Sequence, residues 1–188
     1  MSVTLQLADN QHLLVGIDPG EVYNGVGVLI CTEGPKGFEK LLMGFRPETD
    51  ALADIIERWS VVGQRLHICM EDFILYPDDM RRKNSTEASN KTRAQRWNKM
   101  KTTRSIGIIE HYVRKLKLPF HVCRAADHKG TVTEAYMRAA GLWGEYNYKD
   151  GGHIRDATSI ADYQFRIRGI LNGNKRVITP TDLKLLAF

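Results

Sequence analysis

Cysteine is scarce in this chain of 188 residues: Cys31, Cys69 and Cys123 are the only three. An odd number at wide spacing, each inside an apolar strand-like segment, excludes a disulfide framework and a cysteine-based zinc site. They read as small core residues in a reducing compartment. Long apolar runs are missing too, since none approaches the roughly 20 residues that span a bilayer. The opening MSVTLQLADNQ lacks the basic-then-apolar order of a secretory signal. The expected setting is the cytoplasm, with no membrane partner. Internal repeats and low-complexity tracts are absent as well. With 43% hydrophobic and 26% charged residues, the composition is that of an ordinary globular protein with a real core, expected as one domain over 1–188.

Acidic residues are nearly missing from one long stretch. From Arg81 to Lys117 the chain carries Arg81, Arg82, Lys83, Lys91, Arg93, Arg96, Lys99, Lys101, Arg104, Arg114, Lys115 and Lys117 against only Glu87 and Glu110. The whole chain is only +5, so the remainder leans acidic. A solvated helix usually mixes both signs; one basic stretch on an acidic-leaning body is the footprint of a nucleic-acid binder.

Apolar patterning predicts the elements. HLLVGID is a short strand ending at Asp18, and Asp18-Pro19-Gly20-Glu21 has the Pro-Gly centre of a turn. Asn24-Gly25 adds a hairpin signal before the strand VGVLIC, and FEKLLMGF follows as a third strand. Apolar positions 52, 55, 56 and 59 predict a helix over about 49–62. LHICME is a buried strand ending at Glu71. SIGIIEHYVRKL is a helix stopped by Pro119, and FHVCRA is the fifth strand. Helices are expected around 130–140 and 153–169. The fold class is therefore α/β, a mixed five-stranded sheet flanked by helices. Residues 84–103, poor in apolar side chains, are expected to be the flexible part, although Asn84 with Glu87 has the form of a capping pair.

Three carboxylates and one histidine stand out by position. Asp18 and Glu71 each close a strand, and strand ends of an open α/β sheet gather on one edge, where such folds place their sites. In GGHIRDATSIADY, two glycines are expected to break the chain, so that His153 and Asp156 open a helix packed by Ala157, Ile160 and Ala161. Together these four suit a hard divalent cation, with His153 as a ligand better matched to Mn²⁺ or as a proton-transfer group. Simpler roles stand beside this one. Asp18 before Pro-Gly serves equally as a turn residue, and Asp156 is welcome near a helix N-terminus. Glu71 is harder to explain away, because burying an unpaired carboxylate is expensive. Asp72 points to the opposite face, and Asp162 is expected at the surface, about 240° round the helix from Asp156. His67, His111, His121 and His128 read as isolated structural or exposed residues, with His128 able to reach a phosphate.

GIDPG followed by GVGV, then a strand ending in Glu71, then HIRDA, resembles the RuvC-type Holliday-junction resolvases of the RNase H-like superfamily. The resemblance spans about residues 12–168. GIDPG alone is shared with sugar kinases and actin-like ATPases, but an actin-like reading needs a second phosphate-binding Asp-Gly segment and room for two lobes. No nucleotide cofactor is expected. The resemblance implies an RNase H-like fold and a metal-dependent, structure-specific DNA endonuclease. Asp18 would bridge two Mg²⁺ or Mn²⁺ ions about 3.5–4 Å apart, with Glu71 holding one and Asp156 the other, and His153 ligating or shuttling a proton. It implies a homodimer making paired symmetric nicks in a four-way junction. It also implies a subunit interface along TTRSIGIIEHYV and a basic DNA contact at Lys129. Phe73 and Tyr76 are candidates for the family's base-stacking aromatic, and Trp97 for stacking or for anchoring its helix. The segment at about 81–104 is longer and more basic than in the cellular enzymes, so its contacts cannot be carried over, and the compact, divergent chain suggests a phage-type version working in a host cytoplasm. Two alternatives stay open: the same chemistry on flaps, forks or RNA–DNA hybrids, and a non-catalytic junction-binding module.

Overall fold

The computed structural model describes residues 7–34, 39–72, 86–144 and 148–171, with 86–99 and 148–150 described by their backbone alone. Strands β1 (Gln11–Asp18), β2 (Gly25–Thr32) and β3 (Glu39–Phe45) form an antiparallel meander. Helix α1 (Thr49–Trp59) and a 3₁₀ turn (Ser60–Arg65) lead to β4 (Leu66–Asp72), which pairs parallel to β1. Helix α2 (Thr86–Lys115) returns the chain to β5 (Phe120–Arg124), parallel to β4. Three helices follow, α3 (Ala125–Lys129), α4 (Glu134–Ala139) and α5 (Tyr148–Asp162), the last running into a π turn (Tyr163–Ile167). The sheet order is β3-β2-β1-β4-β5. This is the mixed five-stranded α/β sheet of an RNase H-like architecture, as the sequence predicts. Among the described residues no helix is long and apolar enough to cross a membrane.

The period of two along each strand sorts the side chains onto two faces. Leu13, Val15 and Ile17 of β1 and Ile68 and Met70 of β4 pack with Leu52 and Ile56 of α1 and Ile109 and Val113 of α2. Leu14, Leu29, Cys69 and Cys123 face the other way, against Tyr136 and Met137 of α4 and Ile160 and Ala161 of α5. All three cysteines are free and buried in the core, as expected.

Helix α5 lies almost on the backbone of the sheet. Gly16 pairs with Gly27 and Asp18 with Gly25 across β1 and β2, making a patch without side chains. A Cβ on Gly16 would stand 1.8 Å from the carbonyl oxygen of Ala157, one on Gly25 2.2 Å from that of His153, and one on Gly27 2.3 Å from the hydroxyl of Thr158. Such contacts are sterically forbidden, so these three positions require glycine. The small residues Ala157 and Ala161 complete the close approach from the helix side.

Four expectations are corrected. First, α5 begins at Tyr148 and runs through Gly151 and Gly152, so His153 sits in its second turn and Asp156 opens the third. Helical glycine costs only about 1 kcal/mol relative to alanine, which packing on the sheet outweighs. Second, the helix expected from Ser105 begins earlier, at Thr86, so that α2 is 30 residues long; Ala, Gln, Arg, Lys and Met favour helix without an apolar period. Third, Asp162 is 1% exposed. It accepts a hydrogen bond from the Tyr136 hydroxyl at 3.1 Å and forms an ion pair with Arg166, whose Nε lies 3.1 Å away and donates to buried Glu39. α5 is covered on more than its sheet-facing side, so the angle that separates Asp162 from Asp156 leads to another buried surface. Fourth, His67 and His121 are not isolated. They form a row with His12 across β1, β4 and β5, with ring nitrogens 3.0 Å apart at each step. His111 is exposed.

Candidate active site

Because β1 and β4 run parallel, Asp18 and Glu71 end on the same edge of the sheet, and α5 crosses that edge with its second and third turns. The seating of His153 on Gly25, the register partner of Asp18, brings its imidazole to that carboxylate. His153 Nδ1 donates to Asp18 Oδ2 at 2.6 Å. The hydrogen bond to Asp18 raises the pKa of His153 above the ordinary histidine value, against partial burial and the charge of Arg46. Asp18 is largely buried while His153 keeps half its side chain exposed, so the pair presents its imidazole to solvent.

A second cluster stands on the β5 side. At the start of α3, Asp127 accepts the backbone N–H of Arg124 at 3.1 Å and pairs with its guanidinium, turning the chain sharply off β5. The turn sends His128 inward and Lys129 toward the sheet edge. His128 has no exposed surface. Its Nε2 lies 3.0 Å from Glu71 Oε2 and its Nδ1 2.7 Å from the Ser159 hydroxyl on α5. A carboxylate offers no proton, so Nε2 is the donor to Glu71. Lys129 Nζ stands 3.0 Å from Asp156 Oδ2 and 3.8 Å from Glu71 Oε2, bridging the two carboxylates. Burial pushes the Glu71 carboxyl up, but the His128 hydrogen bond and the Lys129 charge outweigh it and leave the pKa below the usual value. Burial likewise pulls Lys129 down, and its contact with Asp156 more than restores it.

All four residues singled out in the sequence thus lie at one end of the molecule, in two linked pairs: Asp18 with His153, and Glu71 with Asp156 through Lys129. Among the described residues no group of three or more His, Cys, Asp or Glu side chains is gathered so as to hold a metal ion. The donor set itself, three carboxylates and one imidazole, suits Mg²⁺ or Mn²⁺ in kind. The ammonium of Lys129 between two of these carboxylates marks a place that demands positive charge. His128 is the residue sequence reasoning undervalued. It is neither exposed nor isolated, and the only sequence signal was its place directly before Lys129, shortly after the fifth strand.

The remaining candidates are distributed unevenly. Phe73, Tyr76, Arg81, Arg82 and Lys83 lie outside the described residues. Lys91, Arg93, Arg96, Trp97 and Lys99 fall on the part of α2 described by its backbone alone. Arg104 is exposed on α2 and Lys101 half-buried. Asp72 is exposed, as its place in the strand predicts.

No family model matches the sequence, and no curated protein matches it closely enough to count as a relative. Solved structures do match. One is described as the Thermus thermophilus RuvC structure, with a TM-score of 0.52 and 16% identity over 79% of this chain and 90% of that one. Another, T. thermophilus RuvC in complex with Holliday junction substrate, gives a TM-score of 0.51 and 14% identity over 80% of this chain and 90% of that one. At these identities the likeness is one of fold: the chain is a distant structural relative of RuvC, built on an RNase H-like architecture.

Proposed function

We propose that this chain is a metal-dependent endonuclease that resolves four-way DNA junctions as a homodimer. The observation that carries the reading is the position of two pairs, Asp18 with His153 and Glu71 with Asp156 through Lys129, along the strand edge crossed by α5. The fold it shares with a protein described in complex with a Holliday junction adds support, as does the basic stretch that includes α2. Asp18, Glu71 and Asp156 would hold Mg²⁺ or Mn²⁺, two ions in the fullest form of the reading, with His153 a further ligand or a proton carrier. The bound metal would supply an activated water and neutralise charge at the phosphodiester.

The chain's own residues do the rest. Asp18 orients the His153 ring and holds its Nδ1 proton, leaving Nε2 to exchange a proton at the exposed face of the site. His128 fixes Glu71 from behind. Lys129, half exposed, offers its ammonium to a phosphate oxygen, and the cations of the 81–104 segment supply backbone contacts without sequence preference.

The test compares cleavage of a four-way junction, linear duplex, flap and RNA–DNA hybrid in Mg²⁺ and in Mn²⁺, with Asp156→Asn as control. Paired symmetric nicks in the junction alone, absent in the variant, are expected. Equal cutting of flaps or hybrids would replace the junction with a broader substrate class. Junction binding without any cleavage would make the chain a binding module.

A further inference from the structure

The turn after Asp18 carries two apolar side chains into solvent. Val22 and Tyr23 each remain 47% exposed, within five residues of a carboxylate at the site. The backbone beneath them is braced. Tyr23 forms an isolated antiparallel bridge with Glu48. Asn24, wholly buried, donates its backbone N–H to the Pro47 carbonyl at 2.9 Å and its side-chain amide to the Thr49 hydroxyl at 3.2 Å. Thr49 in turn donates to Ser105 of α2 at 2.9 Å. An aromatic ring anchored this firmly, yet left half in water beside the site, is placed for contact with something outside the chain.

Its neighbour indicates what. The Arg46 guanidinium lies over the Tyr23 ring, 5.9 Å from its centroid, and the positive charge of Arg46 reaches His153. A guanidinium on an aromatic ring combines a π-surface for a base with a charge for a phosphate, the two things a nucleotide offers. This pair stands on the β2–β3 side of the site, whereas Lys129 stands on the β5 side, so cations flank the carboxylates from both directions.

We infer that Tyr23 and Arg46 form a nucleotide-binding rim at the cleavage site, Tyr23 stacking on a base beside the phosphodiester to be cut and Arg46 holding a neighbouring backbone phosphate. The inference rests on the nuclease reading and adds a contact outside its metal-binding and basic-segment residues. Stacking tolerates any base, so the rim fixes the strand without selecting a sequence.

The test uses a junction whose thymines near the branch point are replaced one at a time by 5-iodouracil, which photo-crosslinks to a stacked aromatic ring. Irradiation in metal-free buffer, followed by mass spectrometry of the protein, is expected to mark Tyr23 from at least one position. Tyr23→Phe keeps the crosslink and Tyr23→Ala loses it, with junction affinity down about tenfold and an unchanged melting temperature, since the ring is exposed. Arg46→Gln lowers the slope of log affinity against log salt by about 0.9, the value for one B-DNA phosphate. Crosslinks that fall on other residues while Tyr23→Ala binds as tightly as the wild type would overturn the rim and leave the nuclease reading intact. A wild-type chain that binds no DNA at all would overturn both.

Discussion

Lys129 places its ammonium 3.0 Å from an Asp156 carboxylate oxygen, while the same nitrogen lies 3.8 Å from Glu71. A side-chain cation therefore bridges two of the residues proposed to hold a metal ion. A divalent ion seated between those carboxylates has to displace it. Lys129→Met removes the competitor, so Mg²⁺ should raise the melting temperature of this variant more than that of the wild type. Thermal unfolding with and without Mg²⁺ gives the comparison. Equal rises would place the bound ion elsewhere.

His128 gives a different expectation. With no exposed surface and contacts to Glu71 and Ser159, it fixes the Glu71 carboxylate against the core. His128→Ala leaves a cavity and takes from Glu71 its buried hydrogen-bond donor, with Lys129 its remaining partner, at a cost of about 2–4 kcal/mol in urea unfolding. Loss of a partner that orients a metal ligand typically lowers metal affinity 10–100-fold, which Mn²⁺ titration calorimetry would read. His128→Gln, able to return one N–H toward Glu71, should recover part of that affinity. Unchanged Mn²⁺ binding in His128→Ala would remove its positioning role.

One chemical change should have opposite signs at two glycines. Gly16→Ala drives a methyl group into the Ala157 carbonyl and should cost about 3 kcal/mol, the upper end for overpacking. It should also part His153 from Asp18. Gly107 is exposed within α2 and a Cβ there meets nothing within 4 Å, so Gly107→Ala should stabilise by about 0.5–1 kcal/mol. Denaturant midpoints of the two variants decide the matter.

Burial, with His121 and His12 on either side, holds the pKa of His67 down at about 4. His121 is lowered too, by burial and then by Arg168, and Glu33 stands 3.6 Å beyond His12. A histidine depressed in the folded state binds its proton more readily when unfolded. Its contribution to stability is therefore complete above pH 6.5 and disappears as pH falls through 4. Other groups titrate in the same window, so the measurement is the difference in unfolding free energy between wild type and His67→Asn across it. That difference should rise with pH between 4 and 6.5 and level off outside. A flat difference would mean that the row of histidines carries no proton linkage.

Much of this was written in local pattern. The strands ending in Asp18 and Glu71 and the alanines of HIRDATSIADY foretold the sheet edge and the helix packed on it, while the part of Gly16, Gly25 and Gly27 in seating that helix emerged only from the structure. What stayed hidden depends on contacts between elements far apart in sequence. His12, His67 and His121 stand on three separate strands, and only the register of β1, β4 and β5 aligns them. Asp162 looked like a surface residue because the pattern of one helix says nothing of what covers its second face. His128 gained its place from a carboxylate 57 residues earlier. The basic stretch showed its charge plainly and its helix only through the Asn84–Glu87 pair, because its sequence has no apolar period.

The far end of α5 sets its own condition on folding. There Glu39 and Asp162 are buried around the single guanidinium of Arg166. Burial and the nearby Asp162 push the Glu39 carboxyl well above its usual range, and burial raises Asp162 as well. Two acids share this one guanidinium, and with both carboxyl pKa values raised the folded chain holds protons there more firmly than the unfolded chain does. The stability this cluster lends is complete below the ordinary carboxylate range and fades as pH rises through the raised values, in the direction opposite to that of His67 at the other end of the sheet.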